Sequence, residues 1–279
     1  MTMWRSLLFV AADDSRRLAR ASERGADAVI LDLEDAVPVE RKMQARAGLA
    51  AAIELLGDHQ QVVVRINAGW RDAFADLEAA IAGGVAAIMV PKVEDAARLR
   101  AIADIISELA EAANLSAPPP LIALIENAAA LPRLAEIAEI PQLTGLALGS
   151  EDFSLSVGVP PSPELLDLPC RQIALAAAPR GLMALGLPIS IATISDEDAW
   201  AAAVARARAV GMTGALCIHP HQVPPINRGF APSNEERQRA ARIAEAWDAS
   251  DGRGVITVDG RMVDLPVILA AQRLLALDS

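Results

Sequence analysis

Charged side chains recur at one kind of place in this sequence, directly after short apolar runs. "AVILDLED" (28–35) ends in Asp32, Glu34 and Asp35, and "VVVRINA" (62–68) carries Arg65 and Asn67. "IMVPKVE" (88–94) carries Lys92 and Glu94, and "LIALIEN" (121–127) ends in Glu126 and Asn127. "LALGSED" (146–152) ends in Glu151 and Asp152, and "GALCIHPH" (214–221) ends in His219 and His221. Taken singly, a carboxylate at such a place is ordinarily a helix cap or a charge favouring a helix dipole. Brought together on one rim, the carboxylates of the second, fifth and sixth runs face a cost. Two unit charges ~4 Å apart repel by ~1–4 kcal/mol across the dielectric range of a protein surface. A cation removes that cost. An all-oxygen ligand set favours Mg²⁺, which takes one or two carboxylates and keeps several waters. Zinc would want histidine or cysteine at spacings that do not occur here.

The other reactive residues are weighed in the same way. Lys92 at a strand end is where a Schiff-base aldolase would keep its amine. An ion-paired lysine beside Glu94 and Asp95 is the preferred reading. His219 and His221 flank Pro220 and read as pocket wall or turn structure rather than ligands. No G-x-S-x-G elbow and no P-loop is present.

These residues need a frame that collects strand ends. The apolar runs 6–12, 28–35, 62–68, 86–94, 120–126, 143–152, 188–196 and 214–220 are each separated by segments of helical period. About eight such units close a (β/α)₈ TIM barrel, whose catalytic groups come from the C-terminal ends of the strands. The runs are continuous rather than alternating, as helix-covered parallel strands require. A doubly wound open sheet is the alternative; the missing G-x-G-x-x-G after the first strand counts against it. The barrel is expected over 1–230. An extension over 231–279 follows, with Ser233 and Glu236 at capping-box spacing, a hairpin turn at Asp259-Gly260 and a last helix from about Pro266. It reads as a lid or as an arm packed on a neighbouring subunit.

Bulk properties exclude several classes. The 279 residues carry a formal charge of −11, so the basic footprint of a nucleic-acid binder is missing, as is a polybasic membrane patch. Hydrophobic content is 53% and mean hydropathy +0.31, yet no apolar run reaches the ~20 residues of a membrane span. Cys170 and Cys217 make no disulfide framework, and the N-terminal apolar stretch is cut short by Asp13 and Asp14. A cytoplasmic protein is expected.

Motif order then carries a resemblance. "RSLLFV", "GADAVILDLEDAV", "VVVRINA", "IMVPKVE", "LIALIE", "LALGSEDF", "IHPHQVPPIN" with "FAPSNEE", and "DGRMVDLPV" resemble the citrate lyase β-subunit-like proteins of the HpcH/HpaI aldolase group, from about Arg5 to Leu275. The resemblance implies a Mg²⁺-dependent carbon–carbon lyase acting beside a thioester, such as citramalyl- or malyl-coenzyme A. It implies Glu126 and Asp152 as metal ligands, with Glu34 and Asp35 behind them holding metal waters. Arg65 would bind substrate and face developing negative charge. The turn Gly149, Ser150 and Glu151 would receive the substrate carboxylate. Asp264 would be a catalytic acid or base supplied by a neighbouring subunit, in a homo-oligomer for which the resemblance suggests a trimer. The chain departs from the usual pattern at "VAADD" (10–14), "IEN" (125–127) and "IATIS" (191–195), where substrate and thioester would lie. Two alternatives stay open: a thioester-free metal-dependent pyruvate-type aldolase, and a citrate lyase-like subunit working only on a carrier protein.

Overall fold

The computed structural model describes residues 3–57, 60–250 and 254–276. The chain divides after Phe230 into two compact units. The first is an eight-stranded parallel barrel: β1 (Ser6–Ala11), β2 (Ala28–Asp32), β3 (Gln61–Arg65), β4 (Ala87–Val90), β5 (Leu121–Ile125), β6 (Leu143–Leu148), β7 (Met183–Leu185) and β8 (Ala215–Cys217). Neighbours follow in chain order from β1 to β7, and β8 pairs with β1. Between β7 and β8 closure is made by an isolated bridge, Leu185 to Gly214, by the Gly186 N–H donating to the Gly214 carbonyl at 2.9 Å, and by the Thr213 N–H donating to the Ala184 carbonyl at 2.8 Å.

Successive strand residues face opposite sides. Leu7, Ala28, Ile30, Val63, Met89, Ile122, Leu124 and Ala147 fill the barrel interior. Val29, Leu31, Val64, Ile88 and Ala123 face outward, into the larger core beneath the helices. The inward series extends upward by the same step of two. It takes Ile30 to Asp32, Val63 to Arg65, Leu124 to Glu126 and Ala147 to Gly149. The strand alternation itself therefore aims these four positions at one end of the barrel.

One expected strand is corrected. The seventh strand is Met183–Leu185, not 188–196, which contains no strand. The preceding helix Pro163–Ala177 tightens into a 3₁₀ turn and stops at Gly181, whose φ of +66° is left-handed. The short apolar run after it then pairs with β6. Gly186 (φ +149°) and Pro188 end that pairing, the latter because it has no N–H to give. The other seven strands lie where expected, with shorter ends. Asp32 and Arg65 end β2 and β3, while Glu34, Asp35, Asn67, Lys92, Glu94, Glu126, Glu151 and Asp152 lie beyond the strand ends.

The second unit has its own core of Ala240, Ile243, Val263, Ile268 and Ala271. It comprises helix Asn234–Asp248, a hairpin of β9 (Ile256–Val258) and β10 (Arg261–Val263), and helix Leu265–Ala276. Ser233 and Glu236 form the capping box: the Ser233 N–H donates to Glu236 Oε2 at 2.7 Å and the Glu236 N–H donates to Ser233 Oγ at 3.1 Å. Asp259 (φ +50°) and Gly260 (φ +71°) make the hairpin turn. No helix among the described residues is long and apolar enough to cross a membrane.

Candidate active site

Arg65 anchors the rim. Its guanidinium is held by both oxygens of Asp32: Nε donates to Oδ1 at 2.7 Å and Nη2 to Oδ2 at 2.6 Å. Nη1 lies 3.2 Å from Glu34 Oε2 and 3.3 Å from Asp35 Oδ2. The inward-facing Phe9 ring lies 5.0 Å from its central carbon. Burial works against the Arg65 charge, but the Asp32 bond and the Asp32, Glu34 and Asp35 charges outweigh it and push its pKa up. The fork geometry is one that a lysine cannot reproduce. Asp32 is thus a site residue that the sequence reading left unassigned, although its place on the inward series marked it.

The loop after β3 is fixed from behind. Asp76, fully buried on helix Trp70–Gly83, accepts from the Asn67 backbone N–H at 2.8 Å and from Asn67 Nδ2 at 2.7 Å through one oxygen. Its other oxygen accepts from Arg46 Nε at 2.7 Å. Lys42 Nζ donates to Asn67 Oδ1.

Glu126 follows β5 and is 6% exposed. Its Oε2 accepts from the Lys92 backbone N–H at 2.7 Å. Burial pushes this carboxyl up from its ordinary 4.5 to about 8; the Lys92 N–H and the Arg65 charge pull it back, while the Glu34 and Asp152 charges push it further. Gly149 leaves the room that Glu126 occupies, because a β-carbon at 149 would lie 2.6 Å from Glu126 Cγ. Asp152 stands half-buried in the first turn of helix Ser150–Val157. Glu34 is buried, and its two oxygens make no hydrogen bond of good geometry. They sit instead at ion-pair distance from Arg65 and from Lys92, the latter at 3.1 Å. Burial raises the Glu34 pKa above its ordinary value, with the Arg65 charge opposing.

Among the described residues no group of three or more His, Cys, Asp or Glu side chains forms a metal cage. The arrangement fits a hard cation that needs fewer. Gly149 makes room for the Glu126 carboxyl, and burial together with the Asp152 charge disfavours its ionised form, so a positive charge there would relieve both. Mg²⁺ needs one or two such oxygens and brings its own waters.

The remaining expected residues are distributed less evenly. The Gly149 N–H is already donated to the Ile125 carbonyl at 3.0 Å, so the Ser150, Glu151 and Asp152 N–H groups are the ones the helix start leaves for an anion. The Glu151 side chain accepts from Ser190 Oγ at 2.7 Å and from the Ile191 N–H at 3.1 Å, strapping the loop after β7. His219 and His221 form the turn after β8: His219 Nδ1 accepts from the His221 N–H at 3.3 Å. Gln222 Oε1, fully buried, accepts from the Ile218 and His219 N–H groups. Asp264, in the second unit, caps helix Leu265–Ala276, accepting from the Val267 N–H at 3.4 Å. Lys92 pairs with Glu34 rather than with Glu94, whose carboxylate accepts from Asn127 Nδ2 at 2.9 Å. Glu34 raises the Lys92 pKa against the effect of burial, which leaves no free amine for a Schiff base.

Residues 5–220 match the family model described as HpcH/HpaI aldolase/citrate lyase. A citrate lyase subunit beta-like protein of Deinococcus radiodurans is 34% identical over 281 residues, covering 98% of this chain and 96% of that one. A (3S)-malyl-CoA thioesterase of Cereibacter sphaeroides is 34% identical over 282 residues, covering 98% and 94%. Among solved structures, the protein CitE of Mycobacterium tuberculosis in complex with magnesium, acetoacetate and coenzyme A superposes with a TM-score of 0.75 at 33% identity, over 99% of this chain and 98% of that one.

Proposed function

The chain belongs to the HpcH/HpaI aldolase/citrate lyase family, and from that premise we propose that it is a Mg²⁺-dependent carbon–carbon lyase. Its substrate is a thioester bearing a 2-hydroxy acid unit, such as citramalyl- or malyl-coenzyme A. The products are a 2-keto acid and acetyl-coenzyme A. The observation that carries the reading is the buried Glu126 carboxyl, given its room by Gly149 and pushed up by burial and by the Asp152 charge.

Glu126 and Asp152 would hold the ion, which when bound would acidify the substrate hydroxyl. The free N–H groups of Ser150, Glu151 and Asp152 receive that carboxylate at a helix start. Asp32 fixes Arg65 so that its remaining donors face the oxygen on which charge develops. Losing a donor of that kind costs ~10²–10³ in rate. Asp264 of a neighbouring subunit gives its proton to the enolate carbon, or removes one in the condensing direction.

The test is release of keto acid and acetyl-coenzyme A from the two thioesters, with Mg²⁺ and then with EDTA. Release that requires Mg²⁺ supports the reading and ranks the substrates. Free coenzyme A without keto acid would mean thioester hydrolysis instead, the activity named for the Cereibacter relative. Release that survives EDTA would sink the metal role.

A further inference from the structure

Among the described residues three non-glycine residues have left-handed backbone: Lys92 (φ +53°), Asn114 (φ +55°) and Asp259 (φ +50°). Two are of the kinds that tolerate it, in places that ask for it. Asn114 follows a helix end and Asp259 turns a hairpin. Lys92 has neither excuse: it lies two residues beyond β4, between Pro91 and a buried Val93. A β-carbon in this conformation crowds the following carbonyl and costs free energy. Such strain persists only where the surroundings impose it, and it gathers at functional sites.

What the conformation achieves is visible on both sides of the residue. The left-handed turn aims the Lys92 N–H sideways at Glu126 Oε2, 2.7 Å away. One residue later the chain has rejoined the sheet, the Val93 N–H donating to the Leu124 carbonyl at 3.1 Å. The same turn carries the side chain to β2's side of the rim, where Nζ stands 3.1 Å from Glu34 Oε1. Among the described residues the other ion pair of Glu34 is with Arg65, at 3.2 Å. Without the ammonium, Arg65 would be the cation left at ion-pair distance from Glu34 among the described residues, with Arg98 acting from further off, and Arg65 would be drawn from the Asp32 fork towards it.

We propose that Lys92 is a positioning residue with two separable parts: its strained backbone orients the Glu126 carboxyl, and its ammonium neutralises Glu34 so that Arg65 stays aimed at substrate. This rests on the reading of Glu126 as a metal ligand and of Arg65 as the group facing substrate. It departs from the expectation of a merely ion-paired surface lysine.

Two variants separate the parts, Lys92→Ala and Lys92→Gly. Both lack the ammonium and differ only in the β-carbon. At an ordinary position alanine is the more stable. Here glycine is expected to melt higher, by roughly 2–4 °C for a chain of this size. Adding Glu34→Gln is expected to raise the melting temperature of Lys92→Gly and not that of the wild type, since only the variant leaves Glu34 short of positive charge. Both single variants should bind Mn²⁺, measured by calorimetry, within about threefold of wild type or tighter, because a nearby positive charge has gone. Their kcat should nevertheless fall at least tenfold, with partial recovery in Lys92→Arg. A role in folding alone would move binding and turnover together, in proportion to stability. Alanine melting at or above glycine overturns the backbone half. An equal effect of Glu34→Gln in both backgrounds, or full turnover by Lys92→Gly, overturns the ammonium half. Wild-type protein that binds no Mn²⁺ defeats the metal reading instead, and the two melting comparisons still decide the case of Lys92.

Discussion

As the proposed metal ligand, Glu126 would couple protonation to metal binding. Its carboxyl is pushed up to about 8 by burial first, then by the Glu34 and Asp152 charges. In the unfolded chain it titrates near its ordinary value of 4.5. Between those values the unfolded state has released the proton and the folded state has kept it. The metal-free protein therefore loses stability as pH rises from about 4.5 to about 8, and the contribution is flat below and above that window. A divalent cation reverses the preference, because it binds the deprotonated form. Apparent Mg²⁺ affinity is expected to rise about tenfold per pH unit on the approach to pH 8 and then level off, with about one proton released per ion. Calorimetry in buffers of different ionisation enthalpy measures that proton. An affinity that does not change between pH 6 and 8 would remove Glu126 from the ligand set. Nothing comparable attaches to the cysteines: Cys170 and Cys217 are buried, and burial first of all pushes the Cys170 thiol up to about 12.

Helix Trp70–Gly83 does more than cover the sheet. Its fully buried Asp76 holds the turn after β3 through Asn67 and is matched by Arg46 from helix Lys42–Ala47. Arg65 is two residues before Asn67, so this link keeps the Asp32 fork in register. Asp76→Ala leaves Asn67 without its buried acceptor and Arg46 with Asp72 alone of the two carboxylates, and breaking a buried pair of this kind costs ~3–5 kcal/mol. That corresponds to a fall in melting temperature of roughly 6–20 °C for a chain of this length, and it is expected to exceed the fall for Asp72→Ala. Asp72 pairs with the same arginine at 3.1 Å but is half exposed, at 51%. Equal losses would mean that the buried link has no special weight. The same elements show what the sequence could and could not tell. Their place at the ends of apolar runs was enough to collect Asp32, Arg65 and Glu126 on one rim; that they point inward follows from the strand alternation the structure shows. The seventh strand was misplaced because "PISIATISD" has strand composition while the glycine stop at 181 and the proline at 188 decide where pairing begins and ends. The Lys92–Glu34 pair was illegible for another reason. It joins residues far apart in sequence, and a left-handed lysine has no compositional signature.

The extension from Ala231 onward folds around its own small core, and its one chemically pointed residue, Asp264, ends a hairpin strand at the start of a helix. If that carboxyl completes a neighbour's barrel, each catalytic centre is assembled from two chains, and two kinds of inactive subunit can repair one another. A Glu126→Gln subunit lacks a metal ligand but carries an intact Asp264. An Asp264→Asn subunit carries an intact barrel. Each homo-oligomer is expected to be inactive. When the two are unfolded together and refolded as a mixture, random assembly in a ring gives about a quarter of the centres an intact barrel and a neighbour's intact Asp264. Activity should rise to about that fraction of wild type, and it should depend on total protein concentration as assembly does. If each Asp264 served its own barrel, every mixed centre would still contain one lesion, and the mixture would stay as inactive as its components. Mixing the folded homo-oligomers without unfolding controls for exchange. Recovery only after co-refolding would place the shared centre in a stable assembly. The extension would then be the segment by which one subunit makes its neighbour competent.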